Sequence, residues 1–198
     1  MRQRRVTRER QTRETRVKVS VDLDGRGDAK IATGVGFFDH MLELLARHSG
    51  IDLEVEASGD LQVDEHHLVE DVGIVLGQAL GEALGDKDGL ERYGWALIPM
   101  DEVLVAVAVD LGGRFAFCCD YAPERQLVGQ FPTEMAPHFL RSLAVEMRAN
   151  LHVKFLTPGA NEHHRLEAMF KGFARALRMA LAVDPKMKGR VPSTKGAL

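Results

Sequence analysis

Glu65-His66-His67-Leu68-Val69-Glu70 returns 97 residues later as Glu162-His163-His164-Arg165-Leu166-Glu167. A six-residue pattern this rich in imidazole and carboxylate does not arise twice by chance, so the chain reads as an internal duplication. The match continues without a gap downstream, where Ala79, Leu80, Ala83 and Leu84 fall on Ala176, Leu177, Ala180 and Leu181. Those are core spacings of an amphipathic helix. Upstream, at an offset of 98, the run Phe38-Asp39-His40-Met41-Leu42 lies over Ala136-Pro137-His138-Phe139-Leu140 so that His40 meets His138. A third histidine therefore repeats.

Each copy predicts the same order of elements. In the first, alternation through Thr15–Leu23 gives a strand, Asp24–Asp28 a turn and Ala29–Thr33 a short returning strand, followed by a helix over 38–47. Leu53–Ala57 alternates again, Ser58-Gly59-Asp60 breaks it, and Asp64 is placed to cap a helix running to about Leu84. The second copy repeats this with strands 103–111 and 114–119, helix 136–149, strand 151–156, breaker Pro158-Gly159, N-cap Asn161 and helix 162–182. The expected fold is α+β: two fused, similar ββαβα halves, residues 1–92 and 93–198, with mostly antiparallel sheets and helices packed on one face. Residues 1–13 and 185–198 fall outside the repeat and read as loop or tail.

With 198 residues, 45% of them hydrophobic, the chain can bury a core without disulfides or a structural metal. Its net charge of −3 argues against a general polyanion binder, although residues 1–19 carry eight basic side chains against two acidic, which reads as solvated surface. There is no run of 18 apolar residues for a membrane span and no apolar segment after the arginine-rich start for a secretory signal. The only cysteines, Cys118 and Cys119, are adjacent on a strand and point to opposite faces, which suits a reducing compartment. A cytoplasmic protein that binds neither nucleic acid nor membrane is expected.

On a helix, positions i and i+4 share a face while i+1 is turned by about 100°. His66 and Glu70 can therefore close on one metal ion, as can His163 and Glu167, while His67 and His164 point elsewhere. A pseudo-two-fold arrangement would make two equivalent sites, one from His66, Glu70 and His164 and the other from His163, Glu167 and His67. His40 and His138 would each add a ligand. Four protein ligands per ion leave a six-coordinate metal with two open positions, unlike a closed structural zinc site. Ionisable groups at helix starts are a poor way to fill a core. The partial positive charge at a helix N-terminus also favours the neutral imidazole that ligates. Imidazole and carboxylate without thiolate suit Mn, Fe, Zn, Ni or Co better than Ca or Mg. His48, beside Ser49-Gly50, reads as a helix C-terminal partner, and His152 as a strand surface or packing residue.

Two further clusters fit no core role: Arg92-Tyr93-Gly94 with Asp110 through Arg114, and Pro192-Ser193-Thr194-Lys195-Gly196. Arg92 and Arg114 sit at element ends, where a guanidinium can clamp a phosphate, and Ser193 with Lys195 offers a hydroxyl and a point charge. No nucleotide-binding glycine loop is present, so the phosphate would belong to a small substrate.

Taken together the motifs resemble the imidazoleglycerol-phosphate dehydratases. The resemblance runs through Arg13-Glu14-Thr15, the stretch from Thr33 to Leu42, both His-His-x-x-Glu segments, Pro99-Met100-Asp101-Glu102, Gly113-Arg114 and Pro192 to Gly196. Leu68 and Gly112 stand where the family more often has Thr and Ser, and neither change removes a ligand. The resemblance implies a lyase of histidine biosynthesis with two Mn2+ per chain. It also implies a homo-oligomer of 24 subunits with metal sites shared between chains. The reaction would convert imidazole glycerol phosphate to imidazole acetol phosphate and water.

The chemistry suits the residues. The C–H to be broken is not acidic and hydroxide leaves poorly, but a ring deprotonated between two cations can expel the neighbouring hydroxyl. The resemblance makes Glu14 the acid/base, alongside Glu70 and Glu167 at the metals, and Arg92, Arg114, Ser193 and Lys195 the phosphate holders, with Lys171, one turn beyond Glu167, joining them. A dinuclear metallohydrolase of small phosphorylated substrates would use the same ligands and is the alternative. A metal-storage or nucleic-acid-binding protein using the arginine-rich arm is a third reading.

Overall fold

The protein is described here by a computed structural model covering residues 4–187 and 189–195; Gly196 of the C-terminal motif lies outside the described residues. The first half runs β1 (Arg5–Gln11), β2 (Thr15–Asp22), β3 (Ala29–Ala32), α1 (Gly36–Ser49), β4 (Asp52–Gly59) and α2 (His66–Leu84). The second runs β5 (Tyr93–Met100), β6 (Val103–Asp110), β7 (Ala116–Cys119), a small hairpin of β8 (Leu127–Val128) and β9 (Phe131–Pro132), α3 (Met135–Met147), β10 (Asn150–Thr157) and α4 (Glu162–Ala180).

The two ββαβα halves are present, and each is preceded by one further strand. Sheet orders are β1-β2-β4-β3 and β5-β6-β10-β7, antiparallel except where β3 meets β4 and β7 meets β10. Each returning strand is thus separated from its predecessor by the strand that follows the helix. Residues 4–13, expected as loop or tail, instead supply β1, which pairs antiparallel with β2 from Arg5↔Asp22 to Gln11↔Arg16. Its sequence hides it because it is an edge strand with only Val6 packed against the core, so no apolar alternation marks it. Polar cross-strand pairs hold it instead, Arg16 to Glu9 and Thr7 to Ser20. Arg10 also reaches the buried Asp71 on α2 at 2.6 Å, and Thr15 donates to the same carboxylate. β5 escapes pattern reading for the opposite reason: both faces of Tyr93–Met100 are largely apolar.

Alternate residues of the central strands, Val17, Val19 and Val21 on β2 and Val103, Val105, Val107 and Val109 on β6, are buried under the helices. The four helices fill the space between the sheets. α1 and α2 pack on the first sheet and α3 and α4 on the second, and the layers join through α1 against α4 and α2 against α3. One continuous core runs through both halves.

The α2–α3 contact decides where one candidate site forms. Gly73 and Gly77 share a face of α2, and a Cβ on Gly77 would stand 2.5 Å from the carbonyl oxygen of Leu143 on α3. Without side chains there, α3 comes close enough to bring His138 over α2. Gly77→Ala is therefore expected to force the helices apart and destabilise the fold by about 1–3 kcal/mol. Thermal unfolding checks this against Gly36→Ala, whose Cβ meets nothing within 4 Å and which should leave Tm at or above wild type. Equal Tm values would mean that the helix pair tolerates separation.

Candidate metal centre

The starts of α2 and α4 set the phase of the histidines. Asp64 accepts a hydrogen bond from the backbone N–H of His66 at 2.9 Å, and Asn161, the N-cap of α4, accepts from that of His163 at 3.0 Å. From these fixed starts the i,i+4 pairs converge. Nε2 of His163 lies 3.0 Å from Oε1 of Glu167, and Nε2 of His66 lies 3.9 Å from Oε2 of Glu70.

The neighbouring helix supplies a third donor in each case. α1 brings Nε2 of His40 to 2.9 Å from Oε1 of Glu167, and α3 brings Nε2 of His138 to 3.3 Å from Oε1 of Glu70. The donor atoms of His40, His163 and Glu167 lie within 4.8 Å of one another, as do those of His66, Glu70 and His138. Phe37 packs edge-on against the rings of both His40 and His163, which limits their rotation.

The remaining histidines of the two motifs do not join these groups within the chain. His164 is not brought to His66 and Glu70, nor His67 to His163 and Glu167; each faces a carboxylate of its own half. Nδ1 of His67 meets Asp60 at 3.1 and 3.2 Å, with Glu14 Oε2 at 3.9 Å, and Nδ1 of His164 meets Glu102 at 2.9 Å. The helical phase that the sequence predicts accounts for this, because i and i+1 cannot face the same way. Asp60 and Glu102 are the residues that sequence reasoning missed. Asp60 reads locally as a strand breaker and Glu102 only as the last residue of the Pro99–Glu102 motif, and only pairing across more than sixty residues reveals the role of Glu102.

Electrostatics separate the two groups. Burial alone would raise the pKa of Glu167, but hydrogen bonds from Lys171, His40 and His163 outweigh it and hold the carboxylate down at about 2. Lys171 binds it at 2.5 Å. Hydrogen bonds to Asp60 and Glu102 raise the pKa values of His67 and His164, and Glu102 in turn is held at about 2, chiefly by His164.

The donors fit a divalent transition metal. Each group offers two imidazole nitrogens and a carboxylate with no thiolate. His138 Nε2 is buried and has no hydrogen-bond partner among the described residues, an arrangement that a metal would satisfy and that is otherwise costly.

At the opposite end of β5, Arg92 donates to both carboxylate oxygens of Asp110 at 2.6 and 3.0 Å and to the carbonyl oxygen of Pro192 at 2.8 Å, with its guanidinium over the ring of Tyr93. The C-terminal segment is thereby tied beside Arg92, and Ser193 Oγ accepts from the backbone N–H of Lys195. Arg114 is exposed. Within the chain Lys171 lies apart from this cluster, its ammonium on Glu167 and against Met100 Sδ. His48 ends α1, and His152 is exposed on β10.

Known proteins give the same picture. The sequence profile of the family described as Imidazoleglycerol-phosphate dehydratase matches residues 33–177. The chain is 54% identical to the imidazoleglycerol-phosphate dehydratase of Desulfitobacterium hafniense over 190 residues, 96% of each chain. It is also 54% identical to that of Azorhizobium caulinodans over 200 aligned positions, 100% of this chain and 99% of the relative. Among solved structures, the enzyme from Staphylococcus aureus superposes with a TM-score of 0.83 at 39% identity, covering 91% of this chain and 99% of that one. The enzyme from Pyrococcus furiosus gives 0.81 at 37% identity, covering 96% and 100%. With its duplicated fold, its paired histidine–carboxylate groups and relatives this similar along nearly its whole length, the chain belongs to the imidazoleglycerol-phosphate dehydratase family of hydro-lyases.

Proposed function

We propose that the chain converts imidazole glycerol phosphate to imidazole acetol phosphate and water, in histidine biosynthesis, with two Mn2+ per chain at sites completed by a neighbouring copy. The observation that carries this reading is the pair of three-donor groups, His66–Glu70–His138 and His40–His163–Glu167, each beside an imidazole, His67 or His164, that turns away from it. Three donors leave a transition ion short of ligands, and an outward imidazole from another copy would be the fourth. Bound there, the cations supply Lewis acidity and a template for the nitrogens of the substrate ring.

The chain's own residues do the rest. Lys171 keeps Glu167 ionised and in place. Glu14, half-exposed beside His67 with no hydrogen bond to its carboxylate among the described residues, is free to move the proton at substrate C2. Arg92 uses three of its five N–H donors on Asp110 and Pro192, which leaves two for a phosphate, and Arg114, Ser193 and Lys195 would complete its holders.

Spacing supports sharing between copies. Arg92 precedes β5 and Lys171 touches Met100 at its far end, so eight strand residues separate the phosphate cluster from the Glu167 group, about 25 Å at about 3.3 Å each. The substrate spans only about 10 Å at full stretch, given bonds of about 1.5 Å. One chain's phosphate cluster would then serve another chain's metals. The outer face of the second sheet supports self-association too, since Trp95, Leu97 and Leu156 stand exposed on it. A 24-subunit assembly accommodates both features. The reading places the protein in the cytoplasm; among the described residues no helix is long and apolar enough to cross a membrane.

The direct test is dehydratase activity with Mn2+ added and after chelation. Chelation is expected to abolish activity and release smaller species in light scattering, since sites shared between copies link metal binding to assembly. Full activity without metal would end the reading. Because the pKa values of His67 and His164 are raised, protons hold their rings to higher pH than the ordinary 6.5. Mn2+ affinity, measured by titration across pH, should accordingly begin to fall on acidification while still above that value.

Glu14→Gln keeps shape but removes basicity, so kcat is expected to drop by about 10²–10⁴ with Mn2+ content unchanged. Wild-type kcat would move the proton transfer to another group. Arg114→Ala and Lys195→Ala should raise KM and weaken competition by inorganic phosphate without loss of metal; unaltered competition would remove the phosphate role.

A further inference from the structure

The two halves treat equivalent imidazoles in unequal ways. The last residue before β2 is Glu14 and the last before β6 is Glu102, so these two carboxylates occupy matching places at the turns of matching hairpins. In the second half that carboxylate closes on the outward histidine: Glu102 Oε2 lies 2.9 Å from Nδ1 of His164. Its other oxygen accepts from the backbone N–H groups of Ala160 and Asn161 at 3.2 and 2.9 Å, which locks it to the start of α4.

In the first half Glu14 stops 3.9 Å short of Nδ1 of His67, and Asp60, directly after β4, takes the nitrogen with both oxygens at 3.1 and 3.2 Å. Asp60 has no acidic counterpart, because β10 is followed by Pro158 and Gly159. Two carboxylates from different places in the fold have thus come to the same atom of two equivalent rings. A strand end and a hairpin turn share no packing requirement that would put them there; the common factor is the ring nitrogen.

Which imidazole nitrogen carries the proton is set by the hydrogen bond that the other one makes or lacks. A carboxylate on Nδ1 puts the proton there and leaves Nε2 with a free lone pair. Nε2 of His67 has no hydrogen-bond partner among the described residues. Nε2 of His164 faces the side-chain amide nitrogen of Asn161 at 3.5 Å, a donor, and the exposed Asp101 at 3.4 Å.

We propose that Asp60 and Glu102 are positioning residues, each holding one outward imidazole, His67 or His164, with Nδ1–H toward the carboxylate and Nε2 presented to a cation on another copy, and that Asp60 thereby leaves Glu14 free for proton transfer. The ligand part rests on the metal reading above; the orientation part does not. The duplicated centre is accordingly asymmetric, since Glu102 is consumed in holding a ring and its counterpart Glu14 is not. Carboxylates behind ligating histidines of this kind commonly govern metal affinity by 10–100-fold.

The experiment uses metal-free protein labelled with ring-15N histidine, at a pH raised until the His67 and His164 signals stop shifting, so that their neutral forms are compared. The His67 and His164 signals are identified by their loss in His67→Gln and His164→Gln. Both rings are expected as the Nδ1–H tautomer in wild type and in Asp60→Asn and Glu102→Gln, which keep an acceptor oxygen. They should shift toward Nε2–H in Asp60→Ala and Glu102→Ala respectively. Mn2+ affinity, read from the EPR signal of the free ion, should fall about 10–100-fold in the alanine variants and largely return in the amides. At saturating Mn2+, Glu102→Ala should recover kcat whereas Asp60→Ala should not, because Glu14 would then swing onto His67.

Wild-type rings carrying Nε2–H, or tautomers unmoved by the alanine changes, would overturn the positioning role even if Mn2+ binds. Equal recovery of kcat in both alanine variants would overturn the release of Glu14. Correct tautomers in a wild type that binds no Mn2+ would instead remove the metal reading, and with it the ligand role given to Nε2.

Discussion

Adjacent side chains on an α-helix diverge by about 100°, and the site follows from that constraint. The first histidine of each pair faces its own Glu one turn on, and the second must face away. A chain with His-His at a helix start therefore cannot close all of its imidazoles on a single point. It makes an inward group, completed by a histidine from the neighbouring helix, and an outward ring that needs a separate partner. The fold serves the inward group through close helix packing, α2 on α3 and α1 on α4, and serves the outward ring through carboxylates carried by loops.

The two halves carry equivalent groups, and unlike residues at the repeat positions make them different. Glu167 is almost fully buried, and a buried carboxylate is costly unless it is paired and hydrogen-bonded. Lys171, His40 and His163 meet that requirement, so the second group is held together even without metal. At the repeat position of Lys171 the first half has Ile74, and its Glu70 is more exposed and farther from its histidines. There the contacts are looser, and His138 Nε2 is left without a hydrogen bond among the described residues.

The loops diverge in the same direction. Glu162 is buried, accepts from the Tyr121 hydroxyl at 2.6 Å and from the backbone N–H groups of Glu124 and Arg125, and ties the β7–β8 connection to the start of α4. Burial and the Glu162 carboxylate push the Tyr121 pKa up, so this phenol stays a donor. Glu65, the repeat partner of Glu162, makes no side-chain hydrogen bond among the described residues and is only partly buried. The longer connection in the second half thus comes with its own buried anchor.

Much of this was legible from the residues. Both halves, their helix phases and the pairing of His66 with Glu70 and of His163 with Glu167 follow from periodicity and a repeated hexapeptide, because those relations are local and a helix fixes them. β1 was not legible, since an edge strand held by Arg, Thr and Glu pairs carries no apolar alternation, and β5 was not, since it is apolar on both faces. Nor was the choice of partners: that His40 goes to Glu167 and His138 to Glu70, that Asp60 and Glu102 take His67 and His164, and that Lys171 sits with the candidate metal ligands while Arg92 sits at the other end of β5. The sequence by itself determined the duplication, the helix faces and the kind of donor. Tertiary structure alone decided which donors meet, because side chains far apart in the chain are brought within bonding distance only by how the helices pack and where the turns end, and no local periodicity encodes that.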